Sequence, residues 1–160
     1  RRFDEFRNLR KTKITINACR PKIEYQMRTT ADMTQILYDV LKASPLKTTI
    51  NGLIYKGERP LNSTKEDVVI APIAISGSDK QIGVTNVNIY VPKINQKSGT
   101  STSLMKDTKR ISEILPVAKD ALKLNTGVDY SAWFESQSEY DEPTINQTRL
   151  VFRIEFRLFM

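Results

Sequence analysis

From Thr148 to Met160 apolar and polar side chains alternate. Leu150, Phe152, Ile154, Phe156 and Leu158 fall on one face; Arg149, Arg153, Glu155 and Arg157 fall on the other, with Val151 and Phe159 among them. A period of two over this length predicts a half-buried β-strand. At roughly 1.5–3 kcal/mol per fully buried side chain, five such residues contribute on the order of 10 kcal/mol before entropy is subtracted. This stretch is core, and no chemistry is expected in it.

The same pattern reading orders the rest of the chain. Met33, Ile36, Leu37, Val40 and Leu41 form an amphipathic stripe that predicts a helix over Thr30–Ala43. Thr29, Thr30 or Asp32 can cap it, and Pro45 stops it. Thr48–Lys56 is expected to be a strand, with a turn or bulge at Asn51-Gly52. Gly57–Lys65 is a polar loop containing Pro60. The apolar run Val68–Ser76 predicts a buried strand that lies at an edge or bulges at Pro72, which has no N–H for a ladder. Gln81–Val91 alternates with Val87, Ile89 and Val91 on one face and Asn86, Asn88 and Tyr90 on the other. The two runs form an antiparallel hairpin.

Pro92–Ser103, rich in Lys, Ser, Thr, Gly and Asn, is expected to be a mobile loop. Ser103–Leu124 reads as helix through Leu104, Thr108, Ile111, Leu115, Ala118 and Leu122, with a kink or break near Leu115 caused by Pro116. Tyr130–Tyr140 is a further strand, and Asp141-Glu142-Pro143 turns the chain into the last one. The fold class is therefore α+β: a mostly antiparallel sheet of about five strands, with two main helices packed on one face. Residues 29–160 form a single domain.

Charge changes the picture at one end only. The net charge is +7, and residues 1–28 hold nine Lys/Arg against three acids, which leaves the body nearly neutral. Three readings stand open for this basic arm. It is a solvated flexible tail, or it binds nucleic acid through phosphate contacts by Arg7, Arg10, Lys11 and Lys13. In the third, Met27 opens a natural start, and the first 26 residues are upstream sequence or the end of a longer polypeptide.

The chain has no histidine and a single cysteine, Cys19. Ser-His-Asp and Cys-His catalysis, histidine zinc sites and intrachain disulfides are thereby excluded. No apolar run approaches the ~20 residues that span a bilayer. Glu135 and Glu139 share a parity on their expected strand and, with Asp141 and Glu142, form an acidic cluster. An acid/base pair or a metal can use such a cluster, as can a plain solvated turn. A small enzyme built on it is one function class, and a nucleic-acid module built on the arm is another. No cofactor is called for. Lys93, Asn95, Gln96 and Lys97 on the polar loop, and Asn86 and Asn88 on the outer sheet face, are the candidate contacts to another subunit or partner.

Several phrases carry a resemblance: the helix Asp32–Lys42, Gly52-Leu-Ile-Tyr55, Arg59-Pro-Leu-Asn-Ser63, Glu66-Asp-Val-Val-Ile70 and Val84-Thr-Asn-Val-Asn-Ile-Tyr-Val-Pro92, followed by the closing hairpin. Together they resemble the tail-terminator and tail-completion (head–tail joining) proteins of long-tailed bacteriophages and prophages. The resemblance covers about residues 30–160. It implies a small α+β subunit forming a homo-oligomeric ring, typically a hexamer, that caps the tail tube and joins it to the head connector, and no motif in the chain argues for an enzyme. Its place is then the virion, after assembly in the host cytoplasm.

The unpatterned arm generates one prediction. A chain beginning at Met27 is expected to keep the cooperative melting transition of the full chain; loss of soluble protein on that truncation places the arm in the core.

Overall fold

The structure, a computed structural model, describes residues 27–78 and 80–159. Residues 1–26 of the arm, with Arg7, Arg10, Lys11 and Lys13, lie outside the described residues.

Helix α1 (Thr30–Ala43) follows its stripe: Met33, Leu37 and Leu41 are fully buried, and Ile36 and Val40 are half-buried. The backbone N–H of Thr29 donates to the Asp32 carboxylate at 2.7 Å and its hydroxyl does so at 2.8 Å. These bonds and the charge of Arg28 hold the Asp32 carboxyl below its ordinary value, against a smaller opposing effect of burial.

Pro45 stops α1 and then starts a second helical turn. The strand expected from Thr48 is instead α2 (Leu46–Thr49), whose Thr48 and Thr49 donate N–H and hydroxyl to the Pro45 carbonyl. Only β1 (Ile54–Lys56) of that stretch is strand. β1 runs parallel to β2 (Val68–Ile75), because the loop between them carries the chain back before β2 begins. β2 pairs antiparallel with β3 (Gln81–Pro92). Pro72 meets both of its expected conditions: β1 accompanies β2 only as far as Ile70, and the β2–β3 register shifts between Pro72 and Ala74.

The stretch expected as a loop is a second sheet, a hairpin of β4 (Ile94–Ser98) and β5 (Ser101–Met105) that turns at Gly99 with φ 63°. Helix α3 is correspondingly shorter, Thr108–Leu122, and begins where Asp107 accepts the N–H of Arg110 at 2.9 Å. Leu104 and Thr108 are exposed, and Ile114 joins Ile111, Ala118 and Leu122 on the buried stripe. Of the kink or break expected near Leu115, the break does not occur: the helix runs through Pro116. Burial of that stripe on both sides of Pro116 offsets the roughly 3 kcal/mol that an interior proline costs.

Short β6 (Leu124–Thr126) and long β7 (Tyr130–Glu142) follow, then a 3-10 turn Pro143–Ile145 ending at Asn146 with φ 55°. The last strand, β8 (Gln147–Leu158), lies between β3 and β7. Among the described residues the main sheet has six strands in the order β1-β2-β3-β8-β7-β6 and is mixed, larger than the five mostly antiparallel strands expected. Leu150, Phe152, Ile154, Phe156 and Leu158 are at most 1% exposed, and they pack with α1, α3, Val68, Ile70, Val87, Ile89 and Val91 in one core.

Truncating Phe152 to Ala is expected to cost about 3–5 kcal/mol. Arg153→Ala, which removes an exposed pair with Glu135, is expected to cost less than about 1 kcal/mol. Urea titration of both variants checks this, and equal losses contradict the assigned faces.

Candidate subunit-contact surface

The sheet ends near Tyr90, Pro92 and Gln147 carry the polar machinery of this molecule. Glu66 and Asp67 sit at the entry to β2 and are 4% and 1% exposed. Such carboxylates require partners. Asp67 accepts the Leu53 N–H at 3.1 Å, a bond from Ser63, and an ion pair from Arg59 at 3.3 Å. The Arg59 guanidinium lies 3.8 Å from the centre of the Tyr90 ring and also donates to Gln147 Oε1 at 2.5 Å. Gln147, itself 1% exposed, donates to the Ser63 carbonyl at 3.2 Å. Gly52 is required beside them, since a Cβ there meets Asp67 Oδ1 and the Glu66 carbonyl at 2.5 Å.

Glu66 faces the helices. Arg110 donates to its two oxygens at 2.6 and 2.8 Å, and the Asn51 N–H donates at 3.0 Å. Burial pushes the Glu66 carboxyl up, but the Arg110 hydrogen bonds, the Asn51 N–H and the Arg110 charge outweigh it and leave it below its ordinary value. The hydrogen bonds and charges of Glu66 and Glu113 in turn raise Arg110, against a smaller opposing effect of burial. Together these bonds clamp the loop 57–67 and tie it to β3 and β8, and a further bond from Arg110 to the Thr49 carbonyl joins α3 to α2. None of these four charged residues was singled out by the sequence as a site, although Arg59, Ser63, Glu66 and Asp67 lie in the phrases that carry the resemblance. The readable signal was an adjacent pair of carboxylates at the mouth of an apolar strand.

The clamped loop presents Leu61, 89% exposed, at its tip. The hairpin stands beside the same end of the sheet. Every described side chain from Ile94 to Met105 is exposed, including Ile94, Leu104 and Met105. Among the described residues only its base is tied to the body by polar bonds: Lys93 pairs with Asp141 at 2.6 Å and donates its N–H to the Asn146 carbonyl, and Lys106 pairs with Glu139. Lys93, Leu104, Met105, Lys106, Tyr140 and Asp141 border an open groove of about 410 Å³ between hairpin and β7.

The six expected contact residues divide. Asn95, Gln96 and Lys97 are exposed on β4. Lys93 anchors the hairpin base instead of presenting itself. Asn88 is 8% exposed on the outer face, set between Val69 and Val151. Asn86 is half-buried, and its Oδ1 has no partner among the described residues. The acidic cluster is split as well. The β7 register shifts between Phe134 and Ser136, so Glu135 bonds Arg153 on the outer face at 2.8 Å. Glu139, opposite core residue Leu150, bonds Lys106. A bulge between two residues of equal parity puts them on opposite faces, so Glu135 and Glu139 do not make an acid/base pair.

The outer sheet face carries Arg149, Arg153 and Arg157 from β8. Arg149 lies 2.9 Å from Glu142 and over Tyr140, Arg153 meets Glu135, and Arg157 lies over Trp133. Among the described residues no helix is long and apolar enough to cross a membrane.

No family model and no curated protein matches this chain in sequence. Its fold is similar to that of a chain in the virion of a native gene transfer agent particle, with a TM-score of 0.61 at 12% identity. The match covers 82% of this chain and 98% of the virion chain, so the likeness takes in nearly the whole of that subunit's fold.

Asp67→Ala, which leaves Arg59 buried without its partner, is expected to cost about 3–5 kcal/mol by urea titration. For Glu66 the folded carboxyl titrates below its ordinary value of 4.5. Its contribution is therefore complete above pH 4.5 and is lost as pH falls through the lower folded value. Glu66→Gln is expected to be less stable at neutral pH and to show a shallower acid limb than the parent chain. Parallel acid limbs contradict the assignment.

Proposed function

We propose that this chain is a structural protein of a phage-like particle. Within that class, we read it as a ring-forming tail terminator or head–tail joining subunit that caps the tail tube and connects it to the head. It then acts by assembly, with its own copies, tube and connector proteins as partners, and its place is the virion. The observation that carries the reading is the shared fold, which spans 98% of a virion subunit. The exposed hairpin and the rigidly clamped loop support it, since a ring needs two different patches on one subunit that close by rotation.

Deleting the gene from its phage or particle-producing host tests the proposal. Tails of uncontrolled length, or tails that fail to join heads, are expected in electron micrographs. Normal particles with normal tails overturn it.

A further inference from the structure

Hairpin β4–β5 is an unfinished piece of sheet. A two-stranded hairpin is marginal in water on its own, and this one has every described side chain exposed and is tied down only at its base. Each of its strands has five residues and, among the described residues, a free backbone edge.

The main sheet has two edges that a strand of another chain can join. On one side, β2 is uncovered beyond Ile70, but Pro72 lacks an N–H and the bulge after it turns the edge away. On the other, β6 covers β7 only over Ser131–Trp133, and no described strand lies outside β7 from Glu135 to Glu142. That edge is longer than either hairpin strand and contains no proline.

Charge separates the two elements cleanly. The segment from Lys93 to Lys106 contains Lys93, Lys97 and Lys106 and no carboxylate. Strand β7 contains Glu135, Glu139, Asp141 and Glu142 and no cation of its own, although each of the four already meets a cation elsewhere in its subunit, Arg153, Lys106, Lys93 and Arg149 respectively. The same chemistry already operates within one subunit at the hairpin base, in the Lys93–Asp141 and Lys106–Glu139 pairs. Lys97, farther out, has no carboxylate partner among the described residues.

We propose that the β4–β5 hairpin of one copy adds to the free β7 edge of the next, with Lys97 directed at its carboxylates. Backbone bonding supplies the affinity and the charge contrast sets partner and direction. The contact joins two different patches, so repetition around an axis closes a ring whose sheets continue from copy to copy. This rests on the ring reading above and names its interface, which lies at the β7 edge and not at the β2 edge.

The test uses the full chain with Cys19→Ser, in two differently tagged forms, one carrying Ser101→Cys and the other Ser138→Cys. Native mass spectrometry reads assembly at high protein concentration and in purified particles, and a short bismaleimide reads proximity. The expected result is a ring in which the thiol introduced on the hairpin of one form is joined to the thiol introduced on β7 of the other, with neither form joining itself. Lys97→Glu is expected to weaken assembly about tenfold at low salt with unchanged melting, because Lys97 is exposed. A ring lacking the mixed product, or one with hairpin joined to hairpin, overturns the interface and leaves the ring reading standing. Monomers under every condition, purified particles included, overturn both.

Discussion

Strand β8 is hydrogen-bonded on both sides along its whole length, to β3 from Gln147 through Leu158 and to β7 over the same span. Everything else is arranged around that constraint. A strand with neighbours on both sides cannot adjust its register, because a slip of one residue sends Phe152 and Phe156 to solvent and Arg153 and Arg157 into the core. With β8 fixed, its inner face sets where α1 and α3 lie. Its outer face holds Arg149, Arg153 and Arg157 against the aromatic and acidic side chains of β7.

The ends of the sheet are where the molecule departs from a plain core. Glu66 and Asp67 are brought into nearly dry surroundings, where Arg59, Arg110, Ser63 and backbone N–H groups satisfy them. A buried network of this kind adds little net stability over apolar packing, but it admits few geometries. Its consequence here is a loop held in one shape at the end of the sheet where the hairpin also projects. Rigid presentation of one patch beside a weakly anchored second one suits a subunit that completes its structure by meeting its copies.

Much of this was legible in the chain because period and burial agree. The period of two in β8 and β3 and the 3.6-residue stripe of α1 each follow from one buried face, and each element appears where the pattern puts it. Elements with no face to bury escaped. The β4–β5 hairpin is built mainly of Ser, Thr, Asn, Gln and Lys with little contrast between its sides, so its polar composition reads as loop. Thr48 and Thr49 have β-branched side chains, yet Pro45 captures their N–H groups and turns them helical. The buried carboxylates escaped for a different reason. Arg110 lies 44 residues from Glu66, and Gln147 lies 88 residues from Arg59, so no local window contains the network. Glu135 and Glu139 were misplaced by one bulge, which spacing alone does not reveal.

We propose that this fold serves as a ring at a single place in a phage-like particle. Electron cryomicroscopy of purified particles, with an antibody fragment marking this chain, addresses it directly. The account predicts label at one end of the tail tube, in a closed ring of identical subunits at the head–tail junction. Particles complete in head and tail that carry no copy of the chain, or that carry it scattered without a ring, contradict it.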